Sequence, residues 1–193
     1  MPEKILNNKD LETIVDTNDE WITTRTGIKE RRILDKGIGT SHMAIKAAIA
    51  IINKKKLDPL EIDLVIVATI TPDMQATATA AYVASEIGAS NAFGFDISAA
   101  CSGFLYGMST ASAFIESGRY KKIILIGADK MSSIVDYSDR NTCIIFGDGA
   151  GAVLLEPNSE GYGVQDEYLR SNGSNRDLLR IEAGGSQTPT TKQ

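Results

Sequence analysis

Short apolar runs alternate along the chain with longer amphipathic stretches, and this pattern predicts strands separated by helices. The continuous apolar run at residues 64–70 is typical of a strand that is buried on both faces. A strand-like apolar run at residues 92–97 and a further buried-strand pattern at residues 122–128 predict two more strands. Helical patterns cover residues 41–56, 77–87 and 104–117, and the last two are followed by Gly88 and Gly118. We expect Thr40 or Ser41 to cap the first of these helices. On that helix, one face is expected to carry Met43, Ala47, Ala50 and Ile51.

The two ends of the chain differ from this regular middle. Residues 8–15 and 19–24 read as short helices, with no convincing strand before the first, and residues 27–34 read as extended and basic. Two further strands are predicted at residues 143–146 and 150–155. The order of elements predicts an α/β domain over residues 1–170, with a mixed sheet and helices on both faces. Residues 171–193 are predicted to be a linker-like tail with at most one short strand, near 178–181.

Composition narrows the classes of function. The chain has 193 residues, 42% of them hydrophobic, and a net charge of −5, so nothing favours binding to nucleic acid or to an anionic membrane. Two cysteines do not form a disulfide framework, and no His/Cys cluster has the spacing of a metal site. No signal peptide or membrane-spanning run is evident. These features predict a cytoplasmic protein.

Cys101 is the strongest candidate for chemistry. It stands in DISAACSGF, residues 96–104, between a strand pattern and a helix pattern, with small residues on either side. This places a thiol on a tight turn at the N-terminus of a helix, where unpaired N–H groups and the helix dipole favour the thiolate. The layout is the cysteine counterpart of a nucleophile elbow. The alternative, that Cys101 is a small buried hydrophobe, stays open; Cys143, in a buried-strand pattern, is interpreted as core.

The other two candidate features are weaker. The sole histidine, His42, falls in the first turn of a helix and is interpreted as a surface residue, so a histidine partner for Cys101 is not evident in the chain. GDGAGA, residues 147–152, matches the glycine pattern of dinucleotide-binding loops. Only strand-length sequence follows before Pro157, however, and we therefore interpret these glycines as positions of close backbone approach.

Three motifs in this order resemble the β-ketoacyl-acyl-carrier-protein synthase III family, the condensing enzymes that start type II fatty acid synthesis. They are DTNDEWITTRTGIKERR at residues 16–32, DISAACSGF at residues 96–104 and DRNTCIIFGDGAGA at residues 139–152. The resemblance covers most of the chain and fades in the tail. It implies a thiolase-like fold, of which the chain represents the N-terminal half, and a homodimer.

The resemblance also implies a reaction and a set of site residues. An acyl group passes from acyl-CoA to Cys101, and is then condensed with malonyl-acyl carrier protein with loss of CO2; no cofactor or metal is implied. Trp21 and Arg140 would sandwich the adenine of CoA, with Thr17 and Arg25 along the same channel. The acyl pocket would be lined by Met131, Phe146 and Ala76. Ala76 stands where many relatives carry a bulky aromatic residue, which predicts room for primers larger than acetyl.

The same resemblance sets limits and leaves alternatives open. The family's catalytic His and Asn belong to the part that would follow Gln193, and His42 does not match that His. We therefore expect that this chain cannot complete the condensation alone. Two other interpretations remain. The chain is another thiolase-fold, CoA-dependent acyltransferase, or it is a catalytically silent module for dimerisation or folding.

Overall fold

The computed structural model describes residues 1–190. Within these residues, the chain forms two β-sheets and five α-helices. The strands are β1 (Ile5–Asn7), β2 (Glu30–Arg32), β3 (Leu64–Ala68), β4 (Phe93–Ile97), β5 (Ile123–Lys130) and β6 (Asp148–Leu155). The helices are α1 (Asn8–Glu12), α2 (Asp19–Thr26), α3 (Thr40–Lys55), α4 (Thr79–Glu86) and α5 (Gly103–Glu116). The three long apolar runs and the three long helical patterns of the sequence all form the elements that they predict.

The larger sheet has four strands in the order β4-β3-β5-β6. The first three are parallel, and β6 pairs antiparallel with β5, so the sheet is mixed as predicted. All five residues of β3 are buried, because the sheet is covered on both faces. Its alternate side chains serve two different apolar cores, as the two-residue period of a strand requires.

Helices α3 and α4 cover one face of this sheet and α5 covers the other. Val65 and Val67 of β3 pack with the first pair of helices, whereas Leu64 and Ile66 pack with α5. Helix α4 lies very close to the edge strand β4 at Gly94. A Cβ atom there would lie 2.9 Å from the backbone carbonyl carbon of Ala80, so this contact requires glycine.

The N-terminal region forms a smaller unit beside the main sheet. Strands β1 and β2 pair antiparallel, and the helices α1 and α2 lie between them in the chain. The expectation of no strand before the first helix was wrong, because Ile5–Asn7 forms β1 by pairing with a strand more than twenty residues later. A third apolar cluster lies here and includes Leu11, Ile22, Cys143 and Ile144.

Two local predictions were wrong for tertiary reasons. Residues 143–146 do not form a strand; Cys143 and Ile144 lie instead in a turn whose apolar side chains fill the third cluster. The cap of α3 comes neither from Thr40 nor from Ser41, since Gly39 occupies the N-cap. The Asp73 carboxylate, from a distant loop, accepts hydrogen bonds from the Ser41 N–H and hydroxyl and takes over the capping role.

The predicted buried face of α3 was also displaced. Its buried apolar residues are Met43, Ala44, Ala48 and Ile52, whereas Ala50 is exposed. Apolar residues surround much of this helix, so the sequence pattern alone does not select which stripe meets the sheet.

Beyond β6, residues 156–190 contain no strand, and their one element is a 3-10 turn at Gly173–Leu178. The optional strand near residues 178–181 is therefore absent. The last three positions of the predicted tail, 191–193, lie outside the described residues. None of the described helices is both long and apolar enough to span a membrane.

Candidate active site

Cys101 lies on a strained turn between β4 and α5. A 3-10 turn at Ala100–Ser102 follows the end of β4 and leads directly into Gly103, the first residue of α5. Ala100 has a φ of 47°, in the left-handed region that residues with a Cβ atom rarely adopt. Strain of this kind at a reactive position is typical of nucleophile turns. The geometry agrees with the elbow that the sequence predicts.

The turn exposes the thiol and leaves a backbone donor beside it. Cys101 is exposed, in contrast to the fully buried Cys143. The two hydrogen bonds that close the turn are donated by Ser102 N–H to the Ala99 carbonyl and by Gly103 N–H to the Ala100 carbonyl. The turn itself therefore does not use the Cys101 N–H. The alternative in which Cys101 is a buried hydrophobe does not fit this exposure.

A cavity of about 400 Å³ opens next to the Cys101 side chain. Its walls come from the ends of β3, β5 and β6 and from the start of α5, including Ala68, Phe104, Gly127, Asp129 and Ala150. At Gly127 a Cβ atom would lie 3.2 Å from the Phe104 ring, so the absence of a side chain there leaves room for that ring. The cavity lies at the carboxyl ends of the parallel strands, where open α/β sheets place their ligands.

Asp129 is a cavity residue that the sequence analysis did not select. Its Oδ1 accepts hydrogen bonds from the Thr69 hydroxyl at 2.9 Å and from the Ile70 N–H at 2.8 Å. The Thr71 N–H and hydroxyl donate to the same oxygen at 3.2 and 2.9 Å. The carboxylate thus ties the loop after β3 to the end of β5. The sequence feature that could have identified Asp129 is its position, since it is an acidic residue directly after the apolar run at residues 122–128.

A second group of candidate residues surrounds Trp21 on α2. The Arg25 guanidinium carbon lies 4.5 Å from the centre of the indole ring, and that of Arg140 lies at the same distance. Arg25 is one helical turn from Trp21, whereas Arg140 comes from the segment before β6. Arg140 also lies 3.6 Å from the Asp16 carboxylate. The structure therefore brings together three of the four residues predicted to bind CoA.

The fourth, Thr17, lies just before α2 and is partly buried. Its hydroxyl is buried and has no hydrogen-bond partner within residues 1–190. A buried hydroxyl without a partner loses the hydrogen bonds that it makes in water, which is a cost that a bound polar group would remove.

A buried polar pair is hydrogen-bonded to the first residue of α2, the helix that carries Trp21. Arg31 is 3% exposed and Asn8 is 2% exposed, and the Arg31 guanidinium donates to the Asn8 side-chain oxygen and to the Ile144 carbonyl. Burial lowers the pKa of Arg31 from its ordinary value, but a guanidinium stays charged at any working pH. The neighbouring Cys143 is fully buried, which confirms its interpretation as a core residue, and this burial also raises the pKa of its thiol.

The three predicted acyl-pocket residues are not among the residues that line the Cys101 cavity. Met131 follows β5 in a 3-10 turn, and Phe146 immediately precedes Gly147, which does line the cavity. Ala76 lies in the exposed loop between β3 and α4 with a φ of 76°. None of the three contributes to the cavity wall in the described residues.

The glycine-rich segment and the histidine behave as predicted. Residues 148–155 form β6, so no helix follows the glycines to hold a dinucleotide phosphate. At Gly147 a Cβ atom would lie 3.1 Å from that of Arg31, which is the close approach expected at this motif.

His42 is exposed on the first turn of α3. Within residues 1–190, no group of three or more His, Cys, Asp or Glu side chains is arranged to hold a metal ion.

Comparison with known proteins agrees with this geometry. The family model described as 3-oxoacyl-[acyl-carrier-protein] synthase III matches residues 95–173, which include Cys101 and the glycine-rich strand. The β-ketoacyl-[acyl-carrier-protein] synthase III of Chlorobaculum tepidum is 57% identical over 196 residues, which cover 100% of this chain and 60% of that protein. The chain thus spans about 60% of the length of the curated relatives that it matches.

Solved structures give the same result for the fold. The crystal structure of 3-oxoacyl-[acyl-carrier-protein] synthase III from Aquifex aeolicus VF5 matches with a TM-score of 0.80 and 49% identity, over 83% of this chain and 52% of that one. A second 3-oxoacyl-(acyl-carrier-protein) synthase III structure matches with a TM-score of 0.93 and 27% identity, over 99% of this chain and 58% of that one. The predicted thiolase-like fold is confirmed.

Proposed function

We propose that this chain belongs to the β-ketoacyl-[acyl-carrier-protein] synthase III family and that its residues carry the acyl-transfer step of that enzyme. In this proposal, Cys101 accepts an acyl group from a CoA thioester. The observation that supports it most directly is the exposed Cys101 thiol, on a strained turn at the start of α5, beside an open cavity.

The proposed step is a thioester exchange. The Cys101 sulfur attacks the carbonyl carbon of acyl-CoA and forms a new C–S bond, and the carbonyl electrons move to oxygen. When this tetrahedral intermediate collapses, the bond to the CoA sulfur breaks. The proton of the Cys101 thiol ends on the released CoA, and the products are acyl-Cys101 and CoA.

Two features of the turn favour this step. Helix α5 begins two residues after Cys101, and the partial positive charge at its N-terminus favours the negative charge that develops during the attack. The Cys101 N–H, which the turn does not use, is our candidate donor to the oxyanion that develops on the carbonyl oxygen. Loss of one such donor typically slows acyl transfer by about 10²–10³-fold.

We assign recognition of the CoA nucleotide to the group around Trp21. A planar adenine fits between an indole ring and a guanidinium, and two guanidinium groups already lie 4.5 Å from this indole. For adenine to enter, Arg140 would move outward from the ring, and its contact with the exposed Asp16 would adjust. The Thr17 hydroxyl, which lacks a partner in the described chain, is the candidate hydrogen-bond donor to the same ligand.

We propose that Met131, Phe146 and Ala76 shape the acyl pocket of the whole protein. The small Ala76 side chain supports a pocket that accepts primers larger than acetyl. Competition between acetyl-CoA and longer acyl-CoA thioesters, using the whole protein, tests this: acylation by both classes is expected, and an exclusive preference for acetyl-CoA would contradict it.

The remaining functions are proposed for the whole protein. They are decarboxylative condensation with malonyl-acyl carrier protein to begin type II fatty acid synthesis, assembly as a homodimer, and a cytoplasmic location, which an exposed thiol favours. Apart from the thioester substrate, this chemistry needs no cofactor. His42, the one histidine, does not line the Cys101 cavity, so we assign only acyl transfer to the residues described.

Intact-mass measurement after exposure to acetyl-CoA tests the acyl-transfer proposal. We expect the purified chain to gain one acetyl group, the Cys101→Ala variant to gain none, and the Cys143→Ala variant to gain one, since Cys143 is buried. A folded wild-type chain without an adduct would contradict the proposal. An adduct that persists in Cys101→Ala would contradict it as well.

A further inference from the structure

Arg31 is a buried cation that pairs with no carboxylate. It is 3% exposed on β2, and no ion pair among residues 1–190 includes it. Its guanidinium donates instead to the neutral oxygens of Asn8 and Ile144, with the Nε–H bond at 2.9 Å. Burying a charge without a counter-ion costs folding free energy. We therefore ask what the buried guanidinium of Arg31 does through its two hydrogen-bond partners.

Asn8 connects this cation to α2. Its side-chain N–H groups donate to the Asp19 carboxylate at 2.6 Å and to the Ile28 carbonyl at 2.9 Å. Asp19 begins α2, and Ile28 follows the glycine that ends it. One buried amide thus bonds to both ends of the helix that carries Trp21 and Arg25.

Ile144 connects the same cation to the segment that carries Arg140. Its side chain is 3% exposed in the third apolar cluster, and its carbonyl accepts from both Nε and Nη2 of Arg31. The turn between Arg140 and Ile144 is closed locally by the Cys143 N–H, which donates to the Asp139 carbonyl at 3.0 Å. Holding Ile144 therefore also limits where Arg140 lies.

We propose that Arg31 and Asn8 are a positioning pair that sets the distance between Trp21 and Arg140. Each of these stacking residues lies on one of the two elements that the pair joins. The planar guanidinium is required because it binds both elements at once, with donors in a fixed fork. The inference rests on the proposed function, in which this stack receives the adenine of CoA.

The first test needs no ligand. Trp21 is the only tryptophan of the chain, so quenching of the protein's tryptophan emission by acrylamide reports on the access to this one ring. Arg140→Ala is expected to raise the quenching constant, because it uncovers the indole. Arg31→Gln is expected to raise it by a similar factor, and Arg31→Lys is not expected to restore it, since lysine keeps the charge but not the fork.

Arg32→Gln is the matched control for this test. Arg32 is the next residue of β2, is partly exposed, and pairs with Glu30 at 3.1 Å, so its loss should leave the quenching constant unchanged. A folded Arg31→Gln chain whose quenching constant equals that of the wild type would overturn the proposal. If Arg31→Gln does not fold, the Asn8→Asp variant tests the proposal instead. This variant keeps an acceptor for Arg31 but removes the amide N–H bonds to Asp19 and Ile28. An unchanged quenching constant in Asn8→Asp would again overturn the proposal.

The second test separates positioning from general stability. CoA is titrated into wild type, Arg31→Gln, Arg140→Ala and the double variant, with binding followed by Trp21 emission. Arg31→Gln is expected to weaken binding about tenfold in the wild-type background and to have little effect once Arg140 is absent. A merely structural role would weaken binding equally in both backgrounds. If the wild-type chain does not bind CoA, the proposed function fails, and the quenching measurement still decides the role of Arg31.

Discussion

Strands β3 and β2 both bury side chains against other elements, but these inward side chains differ in chemistry. In β3 every residue is apolar and buried, and both faces of the strand meet apolar cores. In β2 the inward residue is Arg31, whose charge is held by an amide and a carbonyl. The main sheet therefore depends on apolar area, which is not directional, whereas the N-terminal unit combines a smaller apolar cluster with directed hydrogen bonds from a buried charge. Substitutions in the two regions should therefore differ in their effect on the stability of the fold.

The largest expected loss of stability comes from the apolar region. Leu125→Ala removes a fully buried side chain from the middle of β5 and leaves a cavity under α5. The expected cost is about 2–5 kcal/mol of unfolding free energy, measured by chemical denaturation. Leu105→Ala on α5 is the control, because Leu105 is 60% exposed and its loss should cost less than about 0.5 kcal/mol. Equal costs would contradict the packing described for α5.

The next effect tests a directed polar contact. Asp148 is 2% exposed and accepts from the Leu34 N–H, the Ser132 N–H and the Ser132 hydroxyl, at 2.6–2.8 Å. Asp148→Asn keeps the shape but points an amide NH2 at groups that are themselves donors. We expect a loss of about 1.5–3 kcal/mol in the same denaturation measurement. A neutral result would show that these bonds do not stabilise the junction between β2, β5 and β6.

A smaller effect tests the close contact of α4 with the sheet edge. Gly94→Ala would place a Cβ atom 2.9 Å from the Ala80 backbone, and we expect a loss of about 1–3 kcal/mol. Gly151→Ala in β6 is the matched control, since a Cβ atom added there would have no neighbour within 4 Å. If both substitutions have the same effect on the melting temperature, the helix does not lie as close to β4 as described.

The smallest expected effect is a change in pH dependence. Hydrogen bonding from Asn8, and secondarily from Thr23, lowers the pKa of Asp19 below its ordinary value of 3.8. A lowered pKa means that this carboxylate stabilises the fold above about pH 4 and loses that contribution as the pH falls through the folded-state pKa. Asp19→Asn should therefore flatten the acid side of the stability profile, with Glu20→Gln as the charge-matched control. An unchanged acid slope would argue against the Asn8–Asp19 bond.

The difference between the two regions also explains which features the sequence could predict. Buried strands such as residues 64–68 are evident from their continuous apolar residues, and the turn at Cys101 from small residues between a strand and a helix pattern. Arg31 could not be identified in this way, because an inward-facing arginine in a basic stretch has the same sequence signal as an exposed one. Its partners, Asn8 and Ile144, are distant in sequence, and only the fold brings them together.

The same limit applies to the failed local predictions. Residues 143–146 have the composition of a strand, but their apolar side chains fill the third cluster from a turn. The cap of α3 is supplied by Asp73, which no local pattern around Thr40 reveals. In both cases a tertiary contact replaced the local preference, as is common for short segments.

We propose that Cys101 carries the acyl chemistry while the group around Trp21 recognises the nucleotide of CoA. The most direct test compares rates of Cys101 acetylation by acetyl-CoA and by S-acetyl-N-acetylcysteamine, a thioester without the nucleotide, in wild type and Arg140→Ala. We predict that acetyl-CoA reacts about tenfold faster in the wild-type chain, and that this advantage disappears in the variant while the small thioester reacts at an unchanged rate. An advantage that survives loss of Arg140, or an equal slowing of both thioesters, would contradict the claim.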